Sequence, residues 1–163
     1  ANPTPGNMRG GLSTLEEMAL GGISKGGSGP INQVVTYGQI PCEHGLVIMD
    51  TPGYDIESVS GMVCGGAQVL CFSSGRGNPI GNPLIPVIKV TGNKVTYQAM
   101  SDNIDLDTSG VVEGTTTIET LGDDLFQMLE NVCNGTPSKA EALGFDDWAV
   151  FHNQEIWCTC ELS

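Results

Sequence analysis

The sequence predicts an α/β fold, a single three-layer domain with a mostly parallel sheet flanked by helices. Short apolar runs alternate with helical patterns along the chain, the arrangement that builds such sheets. Residues 45–81, GLVIMDTPGYDIESVSGMVCGGAQVLCFSSGRGNPIG, read as strand, turn, helix, strand and glycine-rich loop. Two short apolar strands joined by a helix form a βαβ unit, and hence a parallel pair. The chain's 163 residues are enough to bury one real core.

The elements follow in order. Residues 1–11, ANPTPGNMRGG, read as loop because prolines, glycines and asparagines dominate. Ser13 or Thr14 then starts a helix with Glu16 and Glu17 in its first turn. Leu12, Leu15 and Leu20 are expected to face inward, and Gly21-Gly22 weakens the helix end. A second glycine-rich loop, GISKGGSGPI, leads to a strand over 34–40. The apolar run 45–50 carries Asp50 at its tip, and Thr51-Pro52-Gly53 turns the chain. A helix is expected over 57–65 with Ser58 or Asp55 as its cap, then a strand over 68–73. PVIKVT, 86–91, reads as a strand of mixed exposure. Residues 93–103 read as a helix capped by Thr91 or Asn93, 104–106 as a brief strand, and 107–114 as loop or edge. The clearest helix is 116–134, where Ile118, Leu121, Leu125, Met128, Leu129 and Val132 recur at three and four. Ser138 opens a short helix to Gly144, with Glu141 completing a capping box. The tail after it, with two tryptophans, reads as an edge strand or arm.

Composition excludes several partners. The net charge is −13 with six basic residues, so nucleic acid and anionic membrane are both repelled. No apolar run approaches the ~18 residues that span a bilayer. The chain begins Ala1-Asn2-Pro3, without Met or an export leader, and reads as cut from a longer protein or processed. Of the six cysteines, Cys64, Cys71 and Cys133 fall in apolar or helical segments and are expected to be buried free thiols in a cytosolic protein. No C-x-x-C occurs, and Cys158-Thr159-Cys160 reads as a tail with harmless thiols rather than a metal site.

Ligands of open α/β sheets sit beyond the carboxyl ends of the strands. Asp50-Thr51 and Ser73-Ser74-Gly75-Arg76-Gly77 occupy two such ends. The only arginines, Arg9 and Arg76, both lie in glycine-rich loops where backbone can approach a ligand closely. A guanidinium holds a carboxylate or phosphate by two bonds. The alternative for each is a surface side chain satisfying loop carbonyls. Ser73, Ser74 and the amides of 75–77 can form an anion cradle or an ordinary turn. Asp50 can be a base, a metal ligand or the cap of the next turn. His44 and His152 are the only histidines, each a packing or catalytic candidate. Asp50-Thr51-Pro52-Gly53 imitates a GTPase D-x-x-G, but no G-x-x-x-x-G-K-[ST] loop accompanies it. G-x-S-x-G is also absent. Asp102, Asp105 and Asp107 lack EF-hand spacing and read as a solvated acidic loop.

Taken together, NPTPGN (2–7), GGLSTLEE (10–17), LGGISKGG (20–27), the block 49–81, PVIKV (86–90) and NID (103–105) resemble the carboxy-terminal region of the altronate/galactarate dehydratase family. ETLGDDLFQMLENVCNG (119–135) and HNQ (152–154) are similar too, so the likeness covers nearly the whole chain in one register. The resemblance implies that residues 1–163 form one carboxy-terminal domain of a sugar-acid dehydratase. It implies removal of water from a polyhydroxy carboxylate to give a 2-keto-3-deoxy acid. It also implies a divalent metal, iron or manganese, liganded mainly outside this chain, so no metal ligand is assigned here. The implied partners are a small-molecule sugar acid and the remainder of the same polypeptide, in the cytoplasm, with a homo-oligomer left open. On this basis Arg76 is the carboxylate clamp and Ser73, Ser74, Gly75 and Gly77 hold substrate hydroxyls. Thr51 and Arg9 join the binding set, and Asp50 and His152 are the catalytic candidates. Met18-Ala19 stands where members often carry Lys-Ser, and residues 105–110 depart from the usual D-I-N-A-G. A binding or assembly module without catalysis is the competing reading.

Overall fold

The computed structural model describes residues 3–151. These residues gather into two compact units, 3–34 with 41–48, and 35–40 with 49–151. The α/β class expected from the sequence is what the chain adopts.

The first unit opens with a one-turn helix α1 (Pro5–Arg9), where a loop was expected. Thr4 caps it by accepting from the Asn7 amide, and Pro5 supplies the fixed φ that favours a first helical residue. Helix α2 (Leu15–Ser24) begins where predicted and runs through Gly21-Gly22. The Ser13 amide and hydroxyl both donate to Glu17, and the Glu17 amide donates to Thr14 Oγ1. Leu15 and Leu20 are exposed rather than inward. Strands β1 (Ile31–Val35) and β2 (Leu46–Met49) pair as a two-stranded sheet, with β1 starting earlier than the predicted 34–40.

The second unit carries α3 (Asp55–Cys64), β3 (Leu70–Ser73), β4 (Val87–Thr91), α4 (Lys94–Ala99), β5 (Leu106–Asp107), α5 (Ser109–Glu113), α6 (Ile118–Cys133) and α7 (Lys139–Leu143). Its sheet has the order β3-β4-β5, all parallel, with Leu70 opposite Val87 and Val90 opposite Leu106. The expected parallel partner of β3 was β2, but β2 lies in the other sheet. A sequence shows that two strands flank a helix; it does not show that a third strand takes the pairing edge.

Strand β4 was expected at mixed exposure and is instead the buried centre. Val87, Ile88 and Thr91 are fully enclosed, as the middle strand of a parallel sheet must be. Each buried Val or Ile side chain contributes about 1.5–3 kcal/mol. Val59 of α3, Leu70, Ile80, Ile85 and Val87 form the core cluster, with Ile56, Met62 and Phe72 packed against it.

Two caps are as predicted. Asn93 caps α4 by accepting from the Val95 and Thr96 amides, and Ser138 and Glu141 make a full capping box on α7. Helix α3 differs: its N-cap is Tyr54, with no side-chain bond. Residues 109–113 form helix α5 rather than loop or edge. In α6 the predicted stripe is real but shallow, because only Val132 is buried and Ile118 is exposed. Cys64, Cys71 and Cys133 are free and exposed, not buried, so helical position did not imply enclosure. No helix among the described residues is long and apolar enough to cross a membrane.

Candidate active site

Because β3, β4 and β5 run parallel, their carboxyl ends share one edge. Ser73 ends β3, and the Ser74 amide extends the ladder by donating to the Val90 carbonyl at 3.1 Å. The next residues leave the sheet as the loop Gly75-Arg76-Gly77. The Gly75 carbonyl accepts from Asn93 Nδ2 at 3.0 Å and from Thr96 Oγ1 at 2.8 Å. The loop is therefore held through its backbone by the first turn of α4. Gly77 has φ +81°, and a Cβ there would collide with Met100 Sδ. Arg76 itself is exposed. No described residue accepts a backbone hydrogen bond from the amides of 75–77, the donor arrangement that suits an anion.

Asn93 and Thr96 were not among the predicted site residues, although they fix the loop that was. Their signal was the capping sequence after a strand, which reads as helix start and hides the second use. The adjacent strand ends are also tied. The amide and Oγ1 of Thr108 donate to the Thr91 carbonyl at 2.8 and 2.9 Å, and the Asn93 amide donates to Thr91 Oγ1 at 3.2 Å.

Asp50 and Thr51 sit beyond β2. The Asp50 amide donates to the Val35 carbonyl at 2.9 Å. Its side chain is exposed, and among the described residues it takes no part in capping α3. Thr51 Oγ1 and Ser58 Oγ lie 2.9 Å apart. Asp50 and Thr51 line a cavity of about 410 Å³ with Thr36, Tyr37, Pro52 and Phe151. His152 lies outside the described residues.

Helix α3 joins the two predicted regions. Ser58 binds Thr51, while Asp55 accepts from Asn78 Nδ2 just after the arginine loop. Asn78 Oδ1 in turn accepts from the Ile80 amide at 2.9 Å. The turn at 50–51 and the loop at 73–78 thus hang from the first two turns of one helix. Arg9 ends α1 in the first unit and is exposed.

A buried lysine and a half-buried aspartate were missed. Lys89 is 2 % exposed in the centre of β4, where a lysine in an apolar run reads as an outward-facing residue. Its Nζ donates to the Ile80 carbonyl at 3.2 Å and, more weakly, to that of Pro79 at 3.5 Å. It therefore props the chain just beyond the arginine loop. Burial holds the Lys89 amine below its ordinary range, against the pull of Asp105, with Lys139 adding to the depression. Asp105, expected in a solvated acidic loop, is half-buried. Its carboxylate accepts from the Lys89 amide at 2.7 Å and the Lys139 amide at 2.8 Å, joining β4 to α7.

Among the described residues, no three His, Cys, Asp or Glu side chains converge on a point. These residues do not by themselves fit a divalent metal.

The geometry defines an α/β domain that presents a guanidinium, hydroxyls and amides, the amides of 75–77 unpaired among the described residues, at the carboxyl edge of a parallel sheet, the chemistry of a small-anion site. The chain belongs to the D-galactarate/altronate dehydratase family, whose C-terminal domain it matches over residues 1–156. It is 39% identical over 151 residues to the (2R)-sulfolactate sulfo-lyase subunit beta of Chromohalobacter salexigens, covering 92% of this chain and 39% of that protein. It is 36% identical over 154 residues to the galactarate dehydratase (L-threo-forming) of Escherichia coli, covering 94% of this chain and 28% of that protein. Against the altronate dehydratase of Bacillus subtilis it is 33% identical over 150 residues, 92% of this chain and 30% of that one. The chain thus spans well under half the length of these relatives.

Proposed function

We propose that this chain is the carboxy-terminal domain of a cytoplasmic sugar-acid dehydratase and supplies the substrate-carboxylate half of its active site. The observation that carries the reading is the arginine loop. Its backbone is pinned through Gly75 by Asn93 and Thr96, while Arg76 and the amides of 75–77 find no hydrogen-bond partner among the described residues.

In the proposed reaction a 2,3-dihydroxy carboxylate loses the proton at C2 and the hydroxyl at C3, and the resulting enol tautomerises to a 2-keto-3-deoxy acid. A proton beside a carboxylate is barely acidic, so the charge gathering on the carboxylate needs a cationic clamp. Arg76 provides that clamp with its two-pronged fork. Ser73, Ser74, Gly75 and Gly77 orient substrate hydroxyls. Asp50, uncommitted to capping, serves as a proton carrier on the Thr51 side, and His152 is the second candidate for proton transfer. Arg9 is retained as a binding candidate. Iron or manganese, liganded mainly by regions outside this chain, completes the site. The substrate is a small sugar acid, and the remainder of the polypeptide is the principal partner.

The 39% identity to a sulfo-lyase subunit favours a second reading, with a sulfonated hydroxy acid as substrate and sulfite in place of water as the leaving group. The discriminating experiment uses the complete polypeptide, loaded anaerobically with ferrous iron or manganese and offered galactarate, altronate and sulfolactate. A 2-keto-3-deoxy product supports the dehydratase. Sulfite release from sulfolactate alone selects the second reading, and no product from any acid contradicts both. The chain alone is expected to be inactive.

A further inference from the structure

The segment approaching residue 151 is held to the second unit by two side-chain hydroxyls. The Ala149 amide donates to Ser60 Oγ at 3.3 Å, and the Phe151 amide donates to Tyr37 Oη at 3.1 Å. The two hydroxyls thus accept from amides two residues apart in the chain. Ser60 is fully enclosed in α3, which fixes the first acceptor. Tyr37 is fixed three ways. Its own O–H donates to the Glu57 carbonyl at 2.7 Å, which turns its lone pairs toward the Phe151 amide. Its ring lies against Gly61, where any Cβ would overlap it. The same ring meets Phe151 edge-on, with centroids 5.8 Å apart at 69°.

We propose that Tyr37 and Ser60 are positioning residues, a hydroxyl clamp that seats 149–151 on α3 and sets Phe151 as a wall of the Asp50–Thr51 cavity. The cavity lining supports this, since Tyr37, Phe151, Asp50 and Thr51 all border it. Neither clamp residue touches substrate in this scheme; both act through the segment they hold. The inference rests on the reading of this cavity as part of a dehydratase site.

The test is Tyr37→Phe in the complete enzyme, which keeps the ring over Gly61 and removes only the hydroxyl. The hydroxyl's bonds to the Phe151 amide and to the Glu57 carbonyl are both lost; loss of the first should speed amide exchange at Phe151 by roughly three- to tenfold, while the amides of α3, which that hydroxyl does not hold, keep their wild-type protection. The kcat should fall by a similar factor with KM unchanged, because the groups that hold the carboxylate are untouched. Ser60→Ala should do the same more weakly, and it carries the test if Tyr37→Phe does not fold. Unchanged exchange at Phe151, or faster exchange with unaltered kcat, overturns the clamp. A rise in KM at constant kcat also overturns it, by making Tyr37 a binding residue. If the wild type turns over no sugar acid but exchange at Phe151 is released as expected, the clamp stands and the dehydratase reading falls.

Discussion

The loop after β3 and the turn after β2 both follow a strand and both carry predicted site residues, yet they are held in opposite ways. The loop 73–77 is braced through its backbone, at the Gly75 carbonyl, so its side chains are left available. The turn at 50–53 is tied through a side chain, Thr51 to Ser58, and through the Asp50 amide to Val35. In one place the sequence spends distant residues, Asn93 and Thr96, to keep local ones free. In the other it spends a local residue and leaves its neighbour, Asp50, uncommitted. Backbone bracing suits a rigid ligand cradle. A single side-chain tether suits a group that must shift as a proton moves.

The largest effect should come from disturbing the braced loop. Gly77→Val forces a β-branched residue into φ +81° and drives its side chain into Met100 and Thr96. A displacement of about 1 Å there is expected to lower kcat/KM by about 100-fold. Gly75→Ala sharpens the comparison, because a Cβ at that position meets nothing within 4 Å. It should lower kcat/KM far less than Gly77→Val, because the loop keeps its shape, although both glycines stand in the same five-residue motif.

Breaking the tethered turn should cost less. Thr51→Val keeps the shape and removes one hydrogen bond, worth about 0.5–1.5 kcal/mol. Expected is a two- to tenfold loss in kcat, by roughly that energy, with thermal stability little changed. A loss as large as that of Gly77→Val would mean that the two regions are held alike.

The smallest effect concerns Lys89, which props the chain beyond the loop. Its folded-state value is depressed, so the unfolded chain keeps the proton to higher pH than the folded one. Between that lowered value and the ordinary 10.5, unfolding takes up a proton, and stability from this group rises with pH. The denaturant midpoint of the wild type should therefore gain on that of Lys89→Met as pH rises toward 10.5. A gap that widens the other way would place the lysine in a charge-stabilising site.

The contrast also shows what was legible in the sequence. Arg76 in S-S-G-R-G was readable because glycine spacing and a strand end both leave local marks, and it stands where it was placed. The α6 periodicity, the Asn93 cap and the Ser138–Glu141 box were readable for the same reason. Pairing was not: β3 chose β4 over β2, a decision made by residues far apart in the chain. Lys89 escaped because its partners are carbonyls at 79 and 80, and carbonyls have no sequence signature. Asn93 and Thr96 escaped because their role as braces depends on the register of β3 against β4. Asp105 was misread because two backbone amides, rather than water, satisfy its carboxylate.

The central claim is that Arg76 binds the substrate carboxylate from a pre-set loop. The direct measurement is kcat/KM of Arg76→Ala and Arg76→Lys beside wild type, in the complete metal-loaded enzyme, on the sugar acid it turns over fastest. Loss of a charged hydrogen-bonding partner of about 1.5–3 kcal/mol predicts a drop of roughly 10- to 150-fold for Arg76→Ala. Arg76→Lys should recover only part of it, since an ammonium cannot form the paired contact. Wild-type kcat/KM in Arg76→Ala would contradict the account and leave the loop without its assigned purpose.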